Sequence, residues 1–373
     1  MEKLLGFVGL VSVVFGLTAA SVAQSSEAVS SQPLRVAIAG MVHGHVEGFL
    51  GPALKRSDIQ IVGIAEPDQQ LAHRYASQFG VDPQLLYSDL EEMLAKTHPQ
   101  AVLAFSDTRE HRRIVEAAAR QRIPVMMEKP LAVTVEDALA IQRAANEAHI
   151  PVLVNYETTW YPSNGAVYRL VREGALGDVR KVVVHDGHRG PKEINVAPEF
   201  LDWLTDPVRD GGGALFDFGC YGADLMTWLM QGATPLTVTA VTQQIKPEIY
   251  PLVDDEATIV LTYPKAQAII QASWNWPFDR KDMEVYGESG QAITVRREEI
   301  RVRRKGDEHE EQQRAPVLAS PDHDPISYLI AVVSGTIQPS GLSALDTNVT
   351  VVRILEAARE SARTGKTIKL GNP

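Results

Sequence analysis

Two stretches of this chain carry residues whose types and spacing suit proton chemistry. Lys129 closes the run Met126-Met127-Glu128-Lys129-Pro130. The apolar stretch from Ile123 to Met127 reads as a buried strand, and Pro130 removes a backbone donor and ends it. A cation at the carboxyl edge of a parallel sheet lies where such sheets bind ligands. There it can hold a hydroxyl and favour its deprotonation. The second stretch runs from Asp210 through Gly211, Gly212 and Gly213 to Asp217, Tyr221 and Asp224. Three glycines open a predicted helix that a ligand or another backbone can approach closely, and Asp210 is placed to cap it. Asp217, Tyr221 and Asp224 recur at i, i+4 and i+7 and so line one face. A phenol titrates near ~10 and is a poor base at neutral pH. An ammonium such as Lys129 beside Tyr221 should lower that value. Asp217 would act the other way, which suits it to holding substrate hydroxyls.

The elements that must position these groups follow a clear rhythm. Strand patterns at Leu34 to Ala39, Ile59 to Ala65, Ala101 to Phe105 and Ile123 to Met127 alternate with helical patterns at Leu71 to Phe79, Tyr87 to Leu94, Arg109 to Arg120 and Val135 to Ala148. Repeated strand–helix units predict an α/β domain with a doubly wound parallel sheet over residues 33–152. From about residue 153 the pattern changes to strands joined by short turns, at Val179 to Val184, Leu236 to Val241, Ala257 to Thr262, Ala268 to Ser273, Met283 to Tyr286 and Ala292 to Val295. Residues 153–373 therefore read as an α+β domain with a large, mostly antiparallel open sheet, closed by a helix over 348–363. At 373 residues two domains are the prior.

The first strand leads into Gly40-Met41-Val42-His43-Gly44-His45, where a dinucleotide-binding fold places its phosphate loop. Val42 and His45 stand where a G-x-G-x-x-G pattern has its second and third glycines, so the match is partial. Glu66 ends the second strand, 26 residues after Gly40, in the place of the acid that bonds a ribose 2′-hydroxyl. An acid there repels a 2′-phosphate and favours NAD over NADP. His43 and His45 also have a metal-ligand spacing. A metal-dependent hydrolase would need further ligands at later strand ends, which carry Ser106 and Lys129 instead, so no metal is expected.

The Gly40 turn, Glu66, Ser106-Asp107-Thr108 with His111, Glu128-Lys129-Pro130, Gly174 to Gly177, and Gly212 to Asp224 occur in the order seen in the glucose–fructose oxidoreductase / inositol dehydrogenase / rhizopine-catabolism (Gfo/Idh/MocA) family. The chain resembles that family from residue 33 to 370, and Tyr221 is similar to its tyrosine-containing branch. The resemblance implies a Rossmann-type domain and an NAD(P)-dependent oxidoreductase acting on CH–OH groups of sugars or polyols. Lys129, Asp217 and Tyr221 would be catalytic. Gly40, Val42, His43, Gly44, His45, Glu66, Ser106, His111, Glu128 and Lys129 would meet the cofactor, which supplies the hydride chemistry. Trp160, Arg189, Lys192, Trp203 and Asp217 are candidate sugar contacts, since aromatic faces stack on sugar rings. Val42, His45 and Asp107 depart from the family pattern and bear on how the cofactor is held.

Composition sets the remaining bounds. A net charge of −11 leaves no basic surplus for nucleic acid. Lys3, the apolar run Leu4 to Leu17 and the small residues Ala20-Ser21-Val22-Ala23 read as a secretory signal over 1–23, followed by a polar linker over 24–32. The run is too short for a comfortable membrane span. Cys220 is the only cysteine, so no internal disulfide can form. Export to the periplasm or medium sharpens the cofactor question, because NAD is scarce there. Retention of a bound dinucleotide suits sugar–sugar oxidoreduction, or, as an alternative, a glycosidase working through transient oxidation. Homo-oligomerisation through the second sheet is expected, because an open sheet leaves one face to cover.

Overall fold

The computed structural model describes residues 32–371, so the signal-like segment 1–23 and most of the linker lie outside the described residues. Pro33–Pro373 forms one compact unit that contains two sheets. The first is wholly parallel, with strands β1 (Leu34–Ala39), β2 (Ile59–Ala65), β3 (Leu86–Tyr87), β4 (Ala101–Ala104), β5 (Val125–Glu128) and β6 (Val152–Asn155) in the order β3-β2-β1-β4-β5-β6. Strands β4 and β5 are buried at every residue, as a sheet covered on both faces requires. The order reverses direction beside β1, so the carboxyl ends of β1 and β4 flank a switch point. Helices Gln69–Phe79, Leu90–Thr97 and Val135–Ala148 start at Asp68, Asp89 and Thr134, whose side chains accept backbone N–H bonds. The sequence placed a helix start at Tyr87; Leu86 and Tyr87 instead extend the sheet beside β2. Strand β6 carries this sheet to Asn155, past the boundary drawn at residue 152.

The second sheet holds nine strands among the described residues: β7 (Val179–Gly187), β8 (Thr237–Gln243), β9 (Glu256–Thr262), β10 (Gln267–Ser273), β11 (Arg280–Gly287), β12 (Gly290–Arg296), β13 (Glu299–Arg304), β14 (Glu311–Arg314) and β15 (Ile368–Lys369). Only β7 and β10 pair in parallel; the other pairings are antiparallel. Alternation sorts the faces: Ala257, Ile259 and Leu261 are buried while Thr258, Val260 and Thr262 are half-buried. Helix Gly219–Leu229 packs across β7 and β10, and the closing helix Leu345–Thr364 packs on it and on β8.

The glycine-led helix differs from its expectation. It is two pieces, Ala214–Asp217 and Gly219–Leu229, interrupted at Phe218. Asp210 does not cap it. Asp254 does, accepting from Gly213 N–H at 3.2 Å and Leu215 N–H at 2.8 Å. A β-carbon at position 213 would lie 1.7 Å from the Asp254 carbonyl oxygen, so glycine there is a steric requirement. The capping acid comes from a strand entry about forty residues away, which local spacing cannot reveal.

Candidate active site

Lys129 follows β5 and is 4% exposed. Its Nζ lies 2.5 Å from Asp217 Oδ1 and also donates to the Asp217 carbonyl at 3.2 Å. The second carboxylate oxygen of Asp217 accepts from Trp274 Nε1 at 2.9 Å. Burial alone would lower the Lys129 ammonium, but the Asp217 charge outweighs it and holds Lys129 above its ordinary value. The same pair holds Asp217 below the usual carboxylate range despite its burial. Tyr221 is buried at 1% exposure, with Lys129 Nζ 5.4 Å and Lys281 Nζ 4.8 Å from its ring centre. Its phenol is pushed well above 10, first by burial and then by acidic neighbours including Asp217. The expected lowering by Lys129 is thus reversed, because burial of the phenol outweighs it and the Asp217 charge adds to the rise. Asp217, in turn, is chiefly the counterion and anchor of Lys129.

Lys129, Asp217 and Tyr221 line a cavity of about 370 Å³ together with His45, His188, Phe218 and Lys281. Lys281 pairs with Glu157. His188 Nδ1 accepts the Gly190 N–H at 2.9 Å, which leaves the hydrogen on Nε2. Burial lowers the His188 pKa. At neutral pH Lys129, Tyr221 and His188 therefore offer the cavity an ammonium, a phenol and a neutral imidazole N–H, three proton donors. Asp224 lies on the same helix but is fully buried away from this cavity, with neither carboxylate oxygen partnered among the described residues.

A second cavity of about 400 Å³ opens at the switch point, lined by Gly40, Val42, Glu66, Asp68, Ser106 and Asp107 among others. Gly40 has φ +81°, and a β-carbon there would meet Ser106 Cα at 2.8 Å. Glu66 is buried, and its oxygens accept from Met41 N–H at 2.7 Å and Asp68 N–H at 2.9 Å. It braces the turn while facing the cavity. Ser106 Oγ donates to the Asp107 carbonyl at 2.9 Å. His111 does not line either cavity; its Nδ1 bonds the Pro130 and Leu131 carbonyls at 3.1 and 3.2 Å, tying its helix to the Lys129 loop.

His43, His45 and Glu128 bring three potential ligand atoms within 4.8 Å of one another, with Glu128, expected at the cofactor, supplying an acid at the end of β5. His45 Nδ1 is 2.8 Å from Glu128 Oε2, and Asn155 Nδ2 donates to Oε1 at 2.8 Å. His43 Nδ1 accepts the His45 N–H at 3.2 Å, so its Nε2 carries the hydrogen and offers no lone pair. As arranged, the three residues form a hydrogen-bonded brace beneath the glycine turn.

Of the predicted sugar contacts, Asp217 lines the Lys129 cavity and the other four fall elsewhere. Trp160 is buried and donates to Asn155 Oδ1 at 2.9 Å. Trp203 is buried and donates to the Val42 carbonyl at 3.1 Å. Arg189 and Lys192 are exposed and do not line the Lys129 cavity. The residues missed were Lys281, His188 and Trp274. Lys281 sits in Arg280-Lys281-Asp282, whose polarity reads as a turn; the alternation that continues it into Met283 and Val285 was the available signal.

Comparison with known proteins agrees with this architecture. Residues 34–156 match the model described as oxidoreductase family, NAD-binding Rossmann fold, and residues 165–293 match the GFO/IDH/MocA C-terminal domain. A trans-1,2-dihydrobenzene-1,2-diol dehydrogenase from Oryctolagus cuniculus is 29% identical over 61% of this chain and 65% of its own length. A D-apiose dehydrogenase from Paraburkholderia graminis is 27% identical over 55% of this chain and 51% of its own. The matched part thus spans less than two thirds of either relative. Among solved structures, an inositol dehydrogenase homolog from Azotobacter vinelandii complexed with NAD+ superposes with TM-score 0.78 at 19% identity, covering 91% of this chain and 98% of that one. An aldose-aldose oxidoreductase from Caulobacter crescentus complexed with glycerol gives 0.74 at 24%, covering 91% and 100%. These likenesses establish the fold. With both halves matched in order across a parallel nucleotide sheet and a large mixed sheet, the chain belongs to the Gfo/Idh/MocA oxidoreductase family.

Proposed function

We propose that the protein is an exported oxidoreductase that transfers a hydride between NAD and a hydroxyl or carbonyl carbon of a sugar or polyol. The observation that carries the reading is the buried Lys129–Asp217 pair beside Tyr221, in a cavity separated from the Glu66 cavity by a single short helix. The residues fit a dinucleotide: a glycine at positive φ, a backbone-braced acid facing the cavity, and a buried His43 N–H with no protein acceptor among the described residues. The nicotinamide would supply the hydride acceptor. This chain's part is to hold the hydroxyl oxygen between Lys129 and Tyr221 and to pass its proton through Tyr221. Glu66 supports NAD over NADP. Arg113 also lines that cavity but is engaged by Glu110 at 2.7 Å and Glu91 at 3.4 Å, so it is not free for a 2′-phosphate. The named substrates of the relatives, D-apiose among them, support a sugar or polyol.

The deciding experiment is to denature purified protein, identify any released dinucleotide by mass spectrometry, and follow NADH formation with aldoses and inositols. A protein that neither contains nor takes up NAD or NADP overturns the reading. Free sugar released from a nitrophenyl glycoside without net reduction assigns the glycosidase chemistry instead. Amino-terminal sequencing of protein recovered from the periplasm tests cleavage after Ala23. Val183, Val260 and Ile269 lie side by side on the open face of the second sheet, half-buried, which supports association of copies through that face. Sedimentation velocity tests it, and a monomer at micromolar concentration refutes it.

A further inference from the structure

The helix Pro198–Leu204 lies between the two cavities. Glu199 faces the Glu66 side, whereas Phe200 and Leu204 face the Lys129 side. A dinucleotide serving both cavities has to pass between this helix and the turn at 42–44, yet the two are in contact. Trp203 Nε1 donates to the Val42 carbonyl at 3.1 Å, and a β-carbon at position 44 would lie 3.1 Å from the Phe200 ring. His43 is packed against Phe200 and Trp203, with ring centres 5.0 and 5.5 Å away. The helix is latched at both ends. On one side Glu199 accepts from Arg74 at 2.6 Å and from the Tyr75 hydroxyl. On the other, Arg209 pairs with Asp107 at 2.7 Å, and Arg109 N–H donates to the Arg209 carbonyl at 3.1 Å.

We infer that Pro198–Leu204 is a clasp over the phosphate turn, which must lift for a dinucleotide to enter or leave. The inference rests on the dinucleotide reading above and adds to it how the cofactor is retained. The polar latches hold the helix at its edges, and Trp203 and Leu204 seat it in the apolar core, so opening withdraws both side chains and is slow. The buried His43 Nε2–H, which no protein group accepts among the described residues, is an unmet donor in the closed form. A phosphate oxygen passing under the clasp would satisfy it. For a chain destined for a compartment poor in NAD, slow exchange keeps the cofactor through successive substrates.

The test is NADH uptake and release by stopped-flow fluorescence on the full chain. Arg74→Ala combined with Tyr75→Phe unlatches Glu199 without touching the turn. Association and release should both accelerate, on the order of tenfold for two lost hydrogen bonds, while Kd changes far less than either rate. Release accelerating alone, or neither rate changing, overturns the clasp. Gly44→Cys with Phe200→Cys is designed to lock it, since a β-carbon at 44 would lie 3.3 Å from Phe200 Cγ and Cys220 is buried away from reagents. The oxidised pair should exchange NADH at least about a hundredfold more slowly than the reduced pair, and reduction should restore exchange. Equal rates in the two forms overturn the clasp. If the reduced pair fails to take up NADH, the unlatched variant decides alone. Wild-type protein that takes up no dinucleotide refutes the functional reading, and the clasp with it.

Discussion

Removing one member of the Lys129–Asp217 pair should cost more than removing both. The charges are 2.5 Å apart, and both side chains are under one tenth exposed. At an effective dielectric of ~20 their attraction is about 6.6 kcal/mol. Desolvation of the two ions offsets much of this in the intact pair, but a lone survivor keeps the desolvation and loses the attraction. Asp217→Asn and Lys129→Met should therefore each destabilise by about 3–5 kcal/mol at pH 7. In Lys129→Met/Asp217→Asn no buried charge is left unpaired, and the loss should be smaller than for either single change. The assay is urea unfolding of all four proteins with a common m-value, closed as a double-mutant cycle. Asp217→Asn also frees burial to lower the Lys129 pKa, so its destabilisation should shrink as pH rises and the ammonium discharges. The sign follows from linkage: Lys129 is held above its ordinary value only while Asp217 is charged beside it. Additive single costs, or a flat pH dependence for Asp217→Asn, would refute the reasoning.

Other outcomes follow from the same geometry. Tyr221→Phe should lower kcat by about 10²–10⁴-fold with little change in KM, and retained turnover would remove Tyr221 from the chemistry. In the wild type, sugar oxidation should rise with pH through the alkaline range, because the raised phenol must lose its proton; a rate flat from pH 7 to 10 argues for another base. Glu66→Ala leaves the Met41 and Asp68 N–H groups without their acceptor and should weaken NAD binding about tenfold while narrowing the preference over NADP, read by titration calorimetry. Asp224 is buried without a partner, and its carboxyl is pushed well above the ordinary range by burial. Its folded pKa exceeds the unfolded one, so its stability contribution is complete below the unfolded value and is lost as pH rises. Asp224→Asn should then gain in melting temperature relative to wild type as pH increases from 4 to 8, and a constant difference would contradict the assignment.

Much of this arrangement was readable from residue order. Lys129 was placed at the end of a buried strand because Met126 and Met127 precede it and Pro130 follows, and Asp217 and Tyr221 were paired by helical spacing. Both inferences use local rules. The Asp254 cap, the Trp274 bond to Asp217 and the position of Lys281 depend on which strands of the second sheet pass beneath that helix, and local patterning is silent on this. The two tryptophans chosen for sugar stacking illustrate the limit. An indole offers a flat face and one N–H, and sequence does not say which is used; Trp160 and Trp203 both spend the N–H inside the fold. Likewise a neighbouring cation predicts an acidified Tyr221, but the sign depends first on how deeply the phenol is buried, which residue order does not give.

Glu128 and Lys129 are consecutive, yet they serve different sides of the site. Glu128 holds His45 of the glycine turn, and Lys129 holds Asp217 of the second half of the chain. One peptide unit at the tip of β5 thus acts as a ruler between the two ligand positions. Its length, ~3.8 Å between α-carbons, is fixed by covalent geometry and not by packing. Reshaping the Lys129 cavity by substitution elsewhere leaves this spacing untouched, whereas inserting one residue between 128 and 129 would pull the Glu66 and Lys129 cavities out of register even if both halves folded normally.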